Sequence, residues 1–303
     1  MTIGFIGLGA FGERIASRLV NEGHGLMIHD LVTDAVRYFM LRHSADVAER
    51  PRMVARLCDT IVCVLPSAAD VRQVSIGPMG VADGLEDGKR VTLIDLGTSS
   101  AKEAMQLAAD LAPRGVDYVE APAYGSTADV REGKLVIPYG CNDTVVSKAR
   151  EVLESLSSRV SHTGEPGSAH AFGAFVEQIR AGALLATVEA IVAGKAAGVS
   201  PQALLDWSQA AGLLAPAVAT AIRDHALKPG NVGSGHSIGA LTHNLALALD
   251  LARDHKLSLR QSEAALETWR AAQGDRGAEA DHADILRWLE ANAPVKGETP
   301  PTA

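Results

Sequence analysis

Short apolar runs rich in β-branched residues alternate with segments of helical period along the first half of the chain. Thr2–Leu8, Gly25–His29, Thr60–Leu65, Arg90–Leu96, Tyr118–Ala121 and Lys134–Tyr139 read as strands. Glu13–Asn21, Val36–Arg42 and Ala101–Ala112 carry helical patterns between them. Alternating β and α units predict a doubly wound parallel sheet. The strand runs are almost continuously apolar, as strands covered by helices on both faces must be.

After about Gly167 the pattern changes. Ser168–Gly198 is a long Ala/Leu/Val-rich stretch without proline, and Ser200-Pro201 then supplies an N-cap with proline at the first helical position. Helical patterns follow over Pro201–Ala211, Pro216–His225, Ile238–His255, Leu259–Gln273 and Asp281–Ala291. The predicted organisation is an α/β domain over 1–163 and an all-helical domain over 164–293 that begins with a long helix. The proline-rich tail 294–303 lacks apolar periodicity and is expected to be disordered.

Composition narrows the class of function. A chain of 303 residues with 47% hydrophobic and 21% charged residues is ordinary for a globular protein of about two domains. A net charge of -8 argues against nucleic acid or an anionic membrane as the main partner. The three cysteines, Cys58, Cys63 and Cys141, are too scattered for a disulfide framework, and no Cys/His group has metal-ligand spacing. A reducing, cytoplasmic compartment fits. The opening residues lack a basic leader, and the nearest thing to a membrane span, Ala181–Val192, is short and contains Glu189.

The chemistry begins at Gly7-Leu8-Gly9-Ala10-Phe11-Gly12, a G-x-G-x-x-G between a predicted strand and a predicted helix. Gly7 permits the tight turn, Gly9 lets the backbone approach a pyrophosphate, and Gly12 allows helix to pack on strand. The helix N-terminus, with the amides of Ala10 and Phe11, then offers N–H groups to the phosphates. Asp30 ends the second strand, 18 residues past Gly12. A carboxylate there accepts from the adenosine ribose hydroxyls and repels a 2′-phosphate, so NAD is the expected cofactor. The first domain thus reads as a Rossmann domain.

Several further motifs, in order along nearly the whole chain, resemble the β-hydroxyacid dehydrogenase family, which includes 3-hydroxyisobutyrate dehydrogenases and tartronate semialdehyde reductases. The glycine motif matches the family's opening, and Leu65-Pro66-Ser67 is similar to its cofactor-contacting L-P loop. Asp95-Leu96-Gly97-Thr98-Ser99 resembles the D-x-S-T strand end, which implies that Thr98 lies near the nicotinamide. Glu120-Ala121-Pro122-Ala123-Tyr124-Gly125-Ser126 resembles the D-A-P-V-S-G-G substrate loop, and Leu241–Ala248 resembles the K-D-L-x-L-A-L helix.

The departures fall on the chemistry. The family's G-x-x-x-K-x-x-N-N segment places Gly173 at the catalytic lysine and Val176-Glu177 at the paired asparagines. The lysine of K-D-L falls on His243 and the serine of S-G-G on Tyr124. No lysine lies between Lys148 and Lys195, so a local shift restores nothing. Without both lysines the pocket is expected to be neutral to negative, which disfavours an anionic hydroxyacid. A small ketone, alcohol, imine or amine fits better. Imine reductases share the fold and also lack the lysine, although their usual Asp or Tyr position falls on Gly173 as well.

Each candidate proton carrier has a structural alternative. Glu177, one turn after Gly173, is either an acid/base with a raised pKa in an apolar cleft or the partner of a cation such as Arg180. His243 either relays a proton or bonds a backbone carbonyl near a helix start. Tyr124 either donates a phenolic hydrogen bond to substrate or fills the space left by serine. His170, one turn before Gly173, and His236 are weaker candidates, and Asp95 reads as a loop anchor. The expected function is hydride transfer between NAD and a small, non-anionic carbonyl/alcohol or imine/amine substrate. A β-hydroxyacid dehydrogenase with a rebuilt acid/base site, an imine reductase and a non-catalytic NAD sensor are the alternatives. The long apolar helix predicts a homodimer or higher homo-oligomer.

Overall fold

A computed structural model describes residues 1–292 except Asp87, Ser126 and 228–235; the tail expected at 294–303 lies outside the described residues. The chain divides into two compact units, Met1–Gly173 and a second beginning at Ala174. The division falls within one continuous helix, Ser168–Ala196.

The first unit is built on an eight-stranded sheet. In chain order the strands are β1 (Thr2–Ile6), β2 (Gly25–His29), β3 (Asp46–Val47), β4 (Thr60–Cys63), β5 (Val91–Asp95), β6 (Val116–Glu120), β7 (Val136–Gly140) and β8 (Arg159–Gly164). Their order across the sheet is β3-β2-β1-β4-β5-β6-β7-β8. The order reverses between β1 and β4, so a crevice opens there at the carboxyl ends of the strands.

Both faces of the sheet are apolar because helices cover both. Val62 of β4 joins one core with Ile15, Ala16 and Leu19 of the helix Ala10–Asn21. Its neighbours Ile61 and Cys63 point the other way, into a core with Val54, Leu107 and Leu111. Burial at this density follows from continuous apolar runs, which is why these strands were visible in the sequence.

Two features depart from the expected pattern. β3 and β8 leave no apolar run in the sequence, being a two-residue edge strand and a polar, half-exposed one. The sheet is also not wholly parallel: β7 pairs antiparallel with β6, and β8 runs parallel to β7. The chain continues past Glu120 as far as Tyr124, which bridges back to Val136. β6, its extension and β7 therefore make a hairpin that projects beyond the carboxyl rim. β7 and β8 both point back toward that rim, so the helix following β8 starts beside the end of β6. At the junction, a Cβ on Gly140 would meet Glu120 Oε1 at 2.4 Å and Ser168 Oγ at 2.6 Å.

The second unit is helical. Trp269 is fully buried among Leu184, Val188, Ile191, Leu245, Leu249 and Ile285. Its indole N–H donates to the Ala181 carbonyl at 3.4 Å. Ser200 and Ser237 cap the helices Pro201–Ala210 and Ile238–Asp254, each accepting a backbone N–H three residues on. Phe175, Val176 and Ile179 on the long helix, with Trp207 and Leu213, stay exposed, Ile179 at 70%. Among the described residues no helix is long and apolar enough to cross a membrane.

Candidate cofactor and active site

β1 delivers the glycine loop directly into the crevice. Gly7 has φ +100°, and a Cβ there would lie 2.2 Å from the Val64 carbonyl oxygen. A Cβ on Gly12 would lie 2.1 Å from the Gly7 carbonyl oxygen, so both glycines are required by the protein's own packing. Gly9 differs. A Cβ there would meet nothing within 4 Å, and no side chain caps the helix that Gly9 begins. The space at Gly9, in front of uncapped amides, is the cradle that a pyrophosphate requires.

Asp30 closes this loop at the end of β2. Its Oδ2 accepts the Leu8 N–H at 2.5 Å and its Oδ1 the Val32 N–H at 2.7 Å. A carboxylate oxygen carries two acceptor sites, so each retains one for a ribose hydroxyl. Leu65, Pro66 and Ser67 follow β4 on the next strand end. Ser67 Oγ accepts the Asp70 N–H at 3.2 Å, capping Ala68–Ile76 and fixing where the L-P loop stops. Thr98 is exposed in the loop after β5. That loop is held by fully buried Asp95, which accepts the Gly97 N–H and the Tyr118 hydroxyl, each at 2.9 Å. Burial pushes the Asp95 carboxyl above its ordinary pKa.

The hairpin brings Tyr124 to the helix start. A Cβ added at Gly173 would lie 1.8 Å from Tyr124 Oη and 2.7 Å from its Cζ. Tyr124 and Gly173 are thus neighbours in space, and the phenol takes the room in which a side chain at 173 would begin.

A second cluster was not assembled from the sequence. Glu120, fully buried, accepts the Ala169 N–H on Oε1 at 2.8 Å and bonds His170 Nδ1 through Oε2. His170 is 5% exposed, and its Nε2 lies 3.3 Å from Ser99 Oγ. Glutamate where the resemblance expects aspartate was the available signal, because the extra methylene reaches the imidazole. Ser99 also lines a cavity of about 240 Å³ with Arg72, Glu103 and Tyr118.

The second unit holds the other candidates. Glu177 pairs with Arg180 Nε at 3.2 Å, so the structure shows the ion pair rather than a carboxyl in apolar surroundings. Arg180 faces a cavity of about 310 Å³ with Leu184, Thr220, His236 and His282. The two imidazoles stack with centroids 5.3 Å apart, and burial with the nearby guanidinium lowers the pKa of His236. His243 is exposed on the helix Ile238–Asp254. Among the described residues no group of three metal-type side chains converges.

Comparison with known proteins places this geometry. A model of the NAD-binding domain of 6-phosphogluconate dehydrogenase matches residues 2–164. A model of the NAD-binding region of NADP-dependent 3-hydroxyisobutyrate dehydrogenase matches 167–289. The 2-(hydroxymethyl)glutarate dehydrogenase of Eubacterium barkeri is 32% identical over 67% of this chain and 66% of its own. The solved 3-hydroxyisobutyrate dehydrogenase of Mycobacterium tuberculosis, with L-serine, has a TM-score of 0.80 at 23% identity, covering 95% of this chain and 98% of its own. A variant imine reductase of Myxococcus stipitatus in complex with NAD+ has a TM-score of 0.62 at 20% identity, covering 95% and 99%.

Proposed function

Because the chain belongs to the β-hydroxyacid dehydrogenase family of 3-hydroxyisobutyrate dehydrogenase-like enzymes, we propose that this NAD-binding oxidoreductase acts on a small, non-anionic carbonyl/alcohol or imine/amine substrate. The observation that carries the reading is the Tyr124 phenol standing where a side chain at 173 would begin. A lysine there would bring a positive charge to a substrate carboxylate as well as a proton. A phenol brings a neutral hydrogen-bond donor, with an ordinary pKa near ~10.

The cofactor's place follows from the glycine loop. Gly9 and the amides after it would hold the pyrophosphate, Asp30 the adenosine ribose, and Leu65–Ser67 and Thr98 the nicotinamide half. When bound, the nicotinamide supplies the hydride donor or acceptor. In this reading Tyr124 donates to the reacting substrate atom and fixes its orientation. Glu177 is the second candidate for the proton, with its charge balanced by Arg180, and exposed His243 is the third. The exposed apolar residues of the long helix, Ile179 among them, support a homodimer with this stripe at its interface.

A panel of small ketones, alcohols, cyclic imines and β-hydroxyacids, assayed with NAD(H) and NADP(H), tests the proposal. Turnover of neutral or cationic substrates, with 3-hydroxyisobutyrate poor even at millimolar concentration, is the expected result. Efficient turnover of 3-hydroxyisobutyrate, above ~10⁴ M⁻¹s⁻¹, would show that another cation serves its carboxylate.

A further inference from the structure

We propose that Glu120, His170 and Ser99 form a proton relay that opens at the Ser99 hydroxyl and serves a carbonyl/alcohol couple rather than an imine/amine couple. The inference rests on the oxidoreductase reading above and narrows its substrate class.

The geometry sets the direction of the bonds at Glu120. Both oxygens of Glu120 accept, one from Ala169 N–H and one from His170, so Nδ1 of the imidazole is the donor. A neutral imidazole protonated on Nδ1 has a bare Nε2, and the Ser99 hydroxyl lies 3.3 Å from it and 3.3 Å from the Ser100 carbonyl, so its one proton is shared between these two acceptors. Glu120 is fully buried and His170 nearly so, while Ser99 is half-buried on the loop after β5, next to exposed Thr98. The chain of bonds runs from the interior to one small hydroxyl at the carboxyl rim of the sheet, where open α/β sheets bind their ligands.

In the oxidative direction the substrate O–H bond breaks toward Ser99 Oγ, while the Ser99 proton passes to His170 Nε2. The imidazolium so formed donates from Nδ1 to Glu120. In reduction the same protons return to the oxygen as it gains negative charge. No proton is created or lost, and the two electrons move only between substrate carbon and cofactor. An oxygen needs this delivery because a carbonyl becomes an alkoxide on reduction. An iminium nitrogen carries its proton beforehand and needs none in the same step.

Two measurements test the relay. With 15N-labelled histidine, NMR of the full chain should show His170 protonated on Nδ1 and bare on Nε2, and Glu120→Gln should abolish that pattern. Protonation on Nε2 in the wild-type protein overturns the relay whatever the activity. In assays, Ser99→Ala and His170→Asn should each lower carbonyl turnover by ~10²-fold or more and remove one limb of the pH profile. NAD affinity and reduction of a preformed cyclic iminium should stay within a few-fold. Ser99→Ala with carbonyl turnover within twofold of wild type, or with both substrates lost equally, overturns it. Absence of turnover with every carbonyl and iminium would instead sink the substrate reading, and the imidazole's tautomer then decides the relay alone.

Discussion

Tyr124 and Gly173 exclude each other's alternatives: a Cβ at 173 would lie 1.8 Å from the Tyr124 hydroxyl oxygen. Gly173→Ala must therefore displace the ring or the helix. We expect a loss of about 1–3 kcal/mol, typical of overpacking, in urea unfolding. Tyr124→Ser in the same chain should recover most of it, giving a clear coupling in a double-mutant cycle. Additive losses would mean that the two side chains do not share this space in solution.

Tyr124→Phe removes only the hydroxyl. Turnover should fall by ~10²-fold or more while NAD binding holds. A variant with normal turnover would leave the phenol as a space filler and move attention to Glu177.

Asp30 predicts the choice of cofactor. Titrations should give NAD(H) tighter than NADP(H) by about tenfold or more, a difference of over ~1.4 kcal/mol. Asp30→Ser should narrow the gap. It also removes the carboxylate that accepts the Leu8 N–H, so some loss of NAD affinity is expected too. Equal affinities in the wild type would be incompatible with a carboxylate facing the ribose.

Glu177→Gln keeps the shape but leaves Arg180 without its counter-charge. Small β-hydroxyacids should then become better substrates, through a lower KM. The same variant tests Glu177 as a proton carrier: a fall in kcat of ~10²–10⁴-fold with neutral substrates would assign it that role, and an unchanged kcat and pH profile would remove it.

Buried Asp95 makes a pH prediction. Burial raises its carboxyl above the unfolded value, so its contribution to stability is full below about pH 4 and is lost as pH rises through the elevated folded value. Asp95→Asn can still accept the Gly97 N–H. Relative to wild type, its melting temperature should therefore improve as pH goes from about 4 to 7. A difference independent of pH would mean that Asp95 ionises in the fold as it does in the unfolded chain.

The parallel part of the sheet was legible because strands buried on both faces leave long apolar runs, as at Thr60–Cys63 and Val91–Asp95. β8 left no such trace, since Arg159, Ser161 and His162 keep it polar at the sheet's edge. With no apolar run to mark β8, the direction in which the long helix enters is not legible along the chain. Glu120 and His170 therefore stayed 50 residues apart on paper, although they touch. Tyr124 and Gly173 were each visible as departures from a pattern. That one fills the other's space is a property of the hairpin, and no spacing along the chain encodes it.

The reversal of β7 has an evolutionary reading. A parallel partner for β6 would oblige the intervening chain to cross to the far end of the sheet, which takes a dozen or more residues and fixes its course. The hairpin instead leaves and re-enters on the same side, with Tyr124 paired to Val136 at its neck. Between the two, Val130 and Leu135 are buried in the core that holds Ile15 and Leu19 of the first helix, so the apolar positions of this segment are fixed while its exposed ones are not. Descendants of this scaffold acquire new substrates by exchanging Tyr124 and the exposed residues of this segment, with Val130 and Leu135 kept so that the helix behind the glycine loop stays packed.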